Sequence, residues 1–291
     1  MSAIIQQMRI HQWTKNILIA IPIILAHKTS DTIALLSVLI AFVSFSMIAS
    51  AVYTMNDLAD AESDARHPDK CNRPIPSGRL STSSAITLMT TLFVAGCSVA
   101  LLYLPFEALQ LIALYIVLNI LYSFWLRGKE ILDVLVLGLF YTLRIWLGGA
   151  VAQVPLSPWL LSFSMFLFMS LAFVKRYTEL QAATSSTSTV HGRGYQPSDS
   201  LFVLVLGSSL GFIAILVFVL YLNSPEVSKL YQHAERLWFL VPVMMYWISY
   251  LWLKAHRGEV HVDPVVFMWR DLTSYVVAGI AALVYLWAWM L

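Results

Sequence analysis

The chain has 291 residues, of which 59% are hydrophobic and only 12% are charged, and its formal net charge is +2. The mean hydropathy of +0.75, with a charged fraction about half that of soluble domains, excludes an ordinary water-soluble fold. So small a net charge offers no extended basic surface, and we expect no nucleic-acid partner. We interpret residues 1–291 as one polytopic membrane domain.

Nine apolar segments approach or exceed the length of about 20 residues that a helix needs to cross a bilayer. In lipid each must be helical, because a backbone group without an internal hydrogen bond costs several kcal/mol there. We therefore predict an all-α bundle of nine transmembrane helices, of which the first is the shortest. The predicted segments are 16–27, 32–55, 84–104, 107–126, 131–152, 157–174, 200–222, 236–253 and 272–291.

The basic residues are divided unequally between the two sides of this arrangement. Assigning alternate connections to opposite sides places 14 of the 18 Lys and Arg residues together. The positive-inside rule makes that side cytoplasmic. We therefore predict a plasma (inner) membrane protein whose N-terminus is cytoplasmic and whose C-terminus is on the opposite side. The long connections 56–83, 175–199 and 254–271 are then all cytoplasmic, which suggests a site on that face.

The first long connection begins NDLADAESDARHPDKCNRPIPSGR. Asn56, Asp57, Asp60 and Asp64 follow the pattern NDxxDxxxD, and spacings of three and four residues place the carboxylates on one face of a helix. Oxygen ligands suit Mg²⁺, which typically binds one or two carboxylates together with substrate phosphates. The pattern predicts a magnesium site formed by the three aspartates.

Cationic side chains follow the aspartates within the same connection. Lys70 and Arg73 belong to the segment HPDKCNRP, and ammonium and guanidinium groups both suit phosphate oxygens. Carboxylates for a metal beside cations for phosphate indicate a diphosphate site. The alternative is a solvated loop whose basic residues only enforce the topology.

Two ionisable residues lie within the fifth predicted segment, where charge is costly and usually faces a cavity or a partner. Arg144 is a candidate for a phosphate contact in a cavity, and a structural pairing with another helix is equally open. Asp133 lies near the cytoplasmic end, where we interpret it as a residue that starts the helix.

The second long connection contains QAATSSTSTVHGRGYQPSD, which is rich in Ser, Thr and Gly and too polar to pack. It is either a linker or a lid that orders over a substrate. Lys175 and Arg176 precede it, and Arg193 lies within it.

The motif NDxxDxxxDxxHPxKxxRP resembles the first aspartate-rich motif of the UbiA superfamily of intramembrane prenyltransferases. This resemblance implies a nine-helix bundle with a cytoplasmic cavity in which Mg²⁺ and aspartates hold a diphosphate leaving group. Members that use prenyl diphosphates carry a second aspartate-rich motif. The comparable connection here reads FVKRYTELQ and has no aspartate triplet.

The segments RIHQWTKN, FYTLRIWLGGA, FVKRYTEL, HGRGY and VDPVVFMWRD resemble another branch of that superfamily. Its members are decaprenyl-phosphate phosphoribosyltransferases, which transfer 5-phosphoribose from phosphoribosyl pyrophosphate to a polyprenyl phosphate. A donor and an acceptor that both carry phosphate bring more negative charge than a prenyl diphosphate and an aromatic ring. Cations in place of a second acidic motif suit that load.

The resemblance implies a role for each matching residue. Asp57, Asp60 and Asp64 would hold Mg²⁺ on the pyrophosphate and carry the catalysis, with Asn56 orienting them. The remaining candidates would bind substrate: Lys70 and Arg73 the pyrophosphate, Lys175, Arg176 and Arg193 the 5-phosphate or the acceptor phosphate, and Arg144 a phosphate in the cavity. The expected partners are phosphoribosyl pyrophosphate, the polyprenyl phosphate lipid and the membrane.

Two other functions stay open from the sequence. One is the commoner chemistry of the superfamily, in which a prenyl diphosphate alkylates an aromatic acceptor. The other is a transporter or lipid-binding protein without catalysis, although the acidic cluster lies in a loop rather than at the middle of the membrane. The sequence does not determine the acceptor chain length, the downstream glycan or the oligomeric state.

Overall fold

The computed structural model describes residues 3–66, 70–184, 194–260, 263–268 and 270–290. Within these ranges every regular element is helical and no strand occurs, which confirms the all-α prediction. The chain divides into two compact units. Met1–Phe124 and Leu143–Leu156 form the first unit, and Trp125–Thr142 and Ser157–Leu291 form the second. The assignment of residues 1–291 to one domain stays a prediction.

The first unit is built from six α-helices, two 3₁₀ segments and the end of a seventh α-helix. Its elements are α1 (Ala3–Gln7), a 3₁₀ helix (Ile10–Ala20), α2 (Ile21–Leu25), α3 (Thr32–Ala59), α4 (Ala61–Ala65), a 3₁₀ turn (Lys70–Asn72), α5 (Thr82–Tyr103) and α6 (Phe106–Phe124). Helix α7 (Leu132–Ala152) begins in the second unit and ends in the first.

The second unit contains the start of α7 and six further α-helices. These are α8 (Pro158–Thr184), α9 (Ser200–Leu222), α10 (Val227–Leu230), α11 (Leu240–His256), α12 (Pro264–Met268) and α13 (Leu272–Met290), with 3₁₀ segments at Leu126–Gly128, Pro197–Asp199 and Ala234–Phe239.

Among the described residues, eight helices are long and apolar enough to cross a membrane: α3, α5, α6, α7, α8, α9, α11 and α13. The segment predicted as the first span, 16–27, is different, because it combines the end of the 3₁₀ helix with the short α2. Within 16–27 this leaves five 3₁₀ residues and the five residues of α2, which at about 2.0 and 1.5 Å per residue extend roughly 18 Å. This regular part is shorter than the hydrocarbon core of a bilayer, which is about 30 Å thick.

Polar side chains fix the 3₁₀ helix against α3 in the first unit. Asn16 donates from Nδ2 to Oγ of Ser46 at 2.8 Å, and the indole of Trp13 donates to Oγ of Ser50 at 2.9 Å. Ser50 in turn donates to the backbone oxygen of Met8 at 2.7 Å. Since positions 46 and 50 lie on one face of α3, these bonds align the N-terminal segment with the end of α3 that carries the aspartates.

Small residues allow close helix packing in the second unit, where α8 packs against α9 and α11 against both. Ser170 of α8 donates to the backbone oxygen of Gly207 in α9 at 2.7 Å, and Trp252 of α11 donates to Oγ of Ser170 at 3.1 Å. The Trp252 ring lies against Gly207, where a Cβ atom would approach it to 2.5 Å. Small residues and interhelical hydrogen bonds of this kind hold membrane helices together.

Gly148→Ala is expected to destabilise the protein by about 1–3 kcal/mol or more, the usual cost of overpacking. A Cβ atom at this position of α7 would lie 2.0 Å from the backbone oxygen of Ile19, so the backbone itself must move. Denaturation in mild detergent with increasing SDS measures the loss. Gly279→Ala is the matched control because nothing lies within 4 Å of its Cβ position. Equal stability of the two variants would contradict the close packing of α7 against the 3₁₀ helix.

Candidate functional site

The predicted acidic residues lie at the junction of α3 and α4 in the first unit. Asp57 is in the last turn of α3 and is 3% exposed, and Asp64 is in α4 and is 2% exposed. Asp60 is half-buried and separates the two helices. The helix is therefore interrupted at Asp60 rather than extended through all three aspartates.

Arg73 brings Asp57 and Asp64 together. Its NH1 atom lies 2.5 Å from Oδ2 of Asp64 and 3.2 Å from Oδ1 of Asp57. Lys70 is 3.5 Å from Oδ1 of Asp64, and Arg9 is 2.5 Å from Oδ1 of Asp57. We call these five residues the aspartate cluster. The predicted pairing of carboxylates with Lys70 and Arg73 in one place is present in the fold.

Within the aspartate cluster the carboxylates are buried and the cations are more exposed. The side chain of Arg73 is 32% exposed and that of Lys70 is 44% exposed, against 5% for Asp57 and 3% for Asp64. An anion that approaches from solvent therefore meets the guanidinium and ammonium groups first. This arrangement suits a phosphate ligand, whose oxygens accept charge-assisted hydrogen bonds.

The loop after α4 folds back as a packed segment, and this places Arg73 over the aspartates. Ile75 and Leu80 are buried together with Ala85, and Leu58 and Ala61 pack against them. Because apolar contacts anchor the loop on both sides of the junction, the position of Arg73 depends on packing as well as on charge.

Asn56 is held from α6. Ser123 donates from Oγ to Oδ1 of Asn56 at 2.6 Å, and the same hydroxyl lies 2.8 Å from the backbone oxygen of Asn119. The carboxamide of Asn56 therefore has a fixed orientation next to Asp57 in the chain. This is consistent with the predicted role of Asn56 in orienting the acidic site.

The oxygen donors of the aspartate cluster determine which metal ion the site could hold. Among the described ranges, no three His, Cys, Asp or Glu residues form a group that could hold a metal by themselves. Asp57 and Asp64 do form a pair of buried carboxylates that share Arg73. Mg²⁺ usually takes one or two carboxylates and completes its shell with water and substrate phosphates. The residues present fit an ion that arrives with a diphosphate.

Arg144 lies inside the first unit, where it is 3% exposed. Its Nε atom donates to Oδ1 of Asn16 at 2.8 Å, and the guanidinium lies over the rings of Phe45 and Tyr115 at 5.1 and 5.4 Å. This is the interhelical pairing that the sequence left open. A contact between Arg144 and a phosphate stays a prediction.

A second charged group lies in the second unit at the start of α7 and the end of α8. Arg176 is 2% exposed, and its Nε atom lies 2.6 Å from Oδ2 of Asp133. Arg176 also pairs with Glu179, and Tyr195 donates to Oδ1 of Asp133 at 2.9 Å. Asp133 accepts from the backbone of Val134 as well. Asp133 therefore starts α7, as predicted, and also neutralises a buried arginine.

Tyr195 anchors the last part of the polar connection that precedes α9. Its hydroxyl accepts from the backbone N–H of Ile131 at 2.7 Å while it donates to Asp133. Burial raises the pKa of Tyr195, and the negative charge of Asp133 raises it further. The hydroxyl therefore remains a hydrogen-bond donor across the physiological pH range.

Of the two other predicted cations of this region, Lys175 is described by the structure and Arg193 is not. Lys175 is more accessible than Arg176, with a side chain 39% exposed, and it lies 3.6 Å from Asp263. Arg193 and the middle of the segment interpreted as a linker or a lid, residues 185–193, lie outside the described residues. The substrate roles of Lys175, Arg176 and Arg193 stay predictions.

Sequence reasoning assigned no site role to Gln7 or Arg9. Gln7 donates from Nε2 to Oδ2 of Asp57 at 2.9 Å, and Arg9 reaches Oδ1 of the same residue. These contacts join positions about 50 residues apart. The segment RIHQWTKN, which begins at Arg9, carries part of the resemblance to the phosphoribosyltransferase branch, but neither it nor Gln7 indicates Asp57 as the partner.

The comparison with protein families identifies the fold. A family model described as the UbiA prenyltransferase family matches residues 17–291. The chain belongs to this family. The interpretation of NDxxDxxxDxxHPxKxxRP as a UbiA motif is therefore confirmed at the level of the family.

Three UbiA relatives are similar over most of the chain. Uncharacterized protein y4nM of Sinorhizobium fredii is 36% identical over 280 residues, which cover 96% of this chain and 54% of that protein. Nodulation protein NoeC of Azorhizobium caulinodans is 32% identical over 275 residues, 94% of this chain and 89% of NoeC. Decaprenyl-phosphate phosphoribosyltransferase of Mycolicibacterium smegmatis is 32% identical over 216 residues, 72% of this chain and 67% of the enzyme. The chain thus spans about half the length of y4nM.

A solved structure supports the UbiA fold. It is described as a UbiA homolog from Archaeoglobus fulgidus bound to DMAPP and Mg²⁺. The TM-score is 0.72 at 14% identity, with 97% of this chain and 99% of that chain covered. At this identity the likeness is one of fold.

Proposed function

We propose that this chain transfers 5-phosphoribose from phosphoribosyl pyrophosphate to a polyprenyl phosphate and releases pyrophosphate. The observation that carries the proposal is the distribution of charge between two groups of residues. The aspartate cluster combines two buried carboxylates with more exposed cations. The end of α8 carries the accessible Lys175 and the buried Arg176 instead of a second acidic triplet. The name of the Mycolicibacterium relative, which is 32% identical, supports the same reaction.

The pyrophosphate of the donor is assigned to the aspartate cluster. Lys70 and Arg73 would exchange part of their pairing with the aspartates for pyrophosphate oxygens, and Asn56 would keep the acidic residues oriented. Bound by Asp57 and Asp64, with Asp60 beside them, Mg²⁺ supplies neutralisation of the charge on the leaving pyrophosphate. Binding of pyrophosphate by Lys70 and Arg73 would therefore be coupled to binding of the metal by the aspartates.

The remaining phosphates are assigned to the cations outside the aspartate cluster. Lys175 has an accessible ammonium group, and Arg193 precedes the anchored Tyr195 in the chain. Arg176 is buried against Asp133 and Glu179, so its contact with a phosphate would require this pairing to change. We assign the 5-phosphate or the acceptor phosphate to these three cations, and Arg144 to a phosphate within the cavity.

The reaction needs no proton transfer. The bond between ribose C1 and the pyrophosphate oxygen breaks, and pyrophosphate leaves with the bonding electron pair. An oxygen of the acceptor phosphate, which is already ionised, forms the new bond to C1 and inverts its configuration. The side chains therefore act by positioning two anions and by stabilising charge, which are large effects in phosphate-rich sites.

Membrane insertion supports a lipid acceptor. The eight apolar helices and the family assign the chain to the membrane. We place the aspartate cluster and the N-terminus on the cytoplasmic side of the plasma (inner) membrane, and the C-terminus on the opposite side. The water-soluble donor phosphoribosyl pyrophosphate would reach the cluster from the cytoplasm. The product would be a phosphoribosyl lipid for cell-envelope glycan precursors.

A second candidate function is prenyl transfer from a prenyl diphosphate to an aromatic acceptor. The 4-hydroxybenzoate octaprenyltransferase of Aliivibrio fischeri, which is 32% identical over 61% of this chain, favours it. It shares the diphosphate site with the first proposal. The two functions differ in the donor, which is phosphoribosyl pyrophosphate in the first and a prenyl diphosphate in the second.

Release of pyrophosphate tests the proposal. Purified protein is incubated with Mg²⁺ and either phosphoribosyl pyrophosphate with a polyprenyl phosphate or a prenyl diphosphate with an aromatic acceptor. We expect pyrophosphate only from the first donor, and only with both the metal and the lipid present. Release from the prenyl diphosphate with an aromatic acceptor, and none from phosphoribosyl pyrophosphate, would refute phosphoribosyl transfer.

Lys175→Gln is expected to raise KM for one phosphate substrate about tenfold, because a hydrogen bond to a charged group contributes roughly 1.5–3 kcal/mol. Initial rates at varied donor and varied acceptor concentration measure the change. Lys28→Gln is the control, since Lys28 is an exposed cation that contacts the backbone oxygen of Gln153 in the first unit. An unchanged KM for both substrates in Lys175→Gln would remove Lys175 from the substrate site.

A further inference from the structure

Gln7 has an incomplete set of hydrogen bonds beside the aspartate cluster. Its side chain is 1% exposed, and Nε2 donates to Oδ2 of Asp57 at 2.9 Å. Oε1 of the same carboxamide is buried and has no hydrogen-bond partner among the residues that the structure describes. A buried acceptor without a partner costs about 1–3 kcal/mol, so it calls for an explanation such as a water or an ion.

The orientation of this carboxamide follows from chemistry. An ionised carboxylate only accepts hydrogen bonds, so the amide nitrogen of Gln7 must face Asp57. Exchanging the two amide atoms would place oxygen against oxygen. Oε1 is therefore the acceptor atom of the carboxamide whose nitrogen donates to Asp57.

The neighbouring residues show that the N-terminal segment belongs to this site. Arg9 binds the other oxygen of Asp57 and lies over the ring of Tyr53 at 5.7 Å. Its backbone has φ 52, a left-handed conformation that is unusual for a residue other than glycine. Asp57 is thus held by α1 and the residues after it on one side, and by Arg73 on the other.

We propose that Gln7 is a positioning residue for a hydrated divalent cation at the aspartate cluster. Its amide nitrogen fixes the orientation of Asp57, and Oε1 accepts a hydrogen bond from a water molecule that the cation carries. Mg²⁺ loses water reluctantly and usually retains several water ligands, which require acceptors around them. The inference rests on the proposed diphosphate site, and it is independent of which donor carries the diphosphate.

Binding of Mn²⁺ with inorganic pyrophosphate tests this inference without turnover. Free Mn²⁺ is measured by electron paramagnetic resonance in titrations of the detergent-purified full chain. Gln7→Met keeps the length of the side chain but removes both the donor and the acceptor. We expect it to weaken Mn²⁺ binding about 10-fold to 100-fold, as outer-shell partners of metals typically do.

Two further variants separate this role from general packing. Gln6→Met is the matched control, because neighbouring Gln6 is exposed and accepts from Arg79 rather than contacting Asp57. It should bind Mn²⁺ as the unsubstituted chain does. Gln7→Asn keeps an amide donor and an amide acceptor on a side chain that is one methylene shorter, so it should bind Mn²⁺ more tightly than Gln7→Met.

Three results would overturn the inference: no Mn²⁺ binding by the unsubstituted chain, binding by Gln7→Met within twofold of it, or equal losses in Gln6→Met and Gln7→Met. Thermal unfolding of each variant in the same detergent identifies a loss caused by misfolding. Gln7→Asn then decides, because it leaves more empty space than Gln7→Met, and a packing role alone would make its loss of binding the larger of the two. Since no ribose donor is present, intact Mn²⁺ binding without phosphoribosyl transfer would refute only the proposed function.

Discussion

Asp57→Asn is expected to reduce the rate of Mg²⁺-dependent transfer by at least about 100-fold, the scale of losing a key electrostatic contact. Asp57 is the residue on which the aspartate cluster converges, because Gln7, Arg9 and Arg73 all donate to its carboxylate. The substitution preserves the shape of the side chain and removes its charge. The cluster would then keep Asp64 with Arg73 but lose the second buried carboxylate available to the metal.

The measurement is the initial rate at saturating substrates and at several Mg²⁺ concentrations. Glu62→Gln is the control, since Glu62 is exposed in the same segment and pairs with Arg66. It should retain the full rate. Activity of Asp57→Asn above about one third of the unsubstituted rate would contradict the placement of the metal at this residue.

Asp133→Asn is expected to destabilise the protein by about 3–5 kcal/mol, the cost of breaking a buried ion pair by removing one partner. Arg176 would keep Glu179 but lose the carboxylate that lies 2.6 Å from its Nε atom. Tyr195 would also lose a charged acceptor. Denaturation with SDS in mild detergent measures the change in the free energy of unfolding.

The double variant Asp133→Asn with Arg176→Met should be more stable than Asp133→Asn alone. Removing both charges of a buried pair avoids leaving one of them uncompensated. Glu62→Gln should change stability by no more than the roughly 1 kcal/mol typical of exposed pairs. Equal stability of the single and double variants would contradict the claim that Asp133 stabilises the buried charge of Arg176.

The composition and spacing of the sequence were sufficient for the fold class and for the proximity of Asp57, Asp64 and Arg73. Apolar segments predicted membrane helices, because lipid permits little other than helices with that composition. The spacing of Asp57 and Asp64 predicted that both would reach one place, and Arg73 does bind both. The 3₁₀ form of Ile10–Ala20 was not predicted, because amino-acid composition does not distinguish a 3₁₀ helix from an α-helix.

Contacts between distant parts of the chain could not be predicted. Gln7 and Asp57 are 50 residues apart, and Tyr195 and Asp133 are 62 apart. No periodic pattern links such pairs, because they meet only when the helices have packed. Arg176 illustrates the consequence. Its charge suggested a phosphate ligand, whereas burial against Asp133 gives it an internal partner.

The most direct test of phosphoribosyl transfer follows a ribose label from the donor to the lipid. Detergent-purified protein is incubated with Mg²⁺, ribose-labelled phosphoribosyl pyrophosphate and a polyprenyl phosphate, and the lipid extract is counted. We predict label in the lipid for the unsubstituted chain and for Glu62→Gln, and none for Asp57→Asn. An unlabelled lipid extract, together with prenyl transfer from a labelled prenyl diphosphate to an aromatic acceptor in a parallel incubation, would contradict phosphoribosyl transfer.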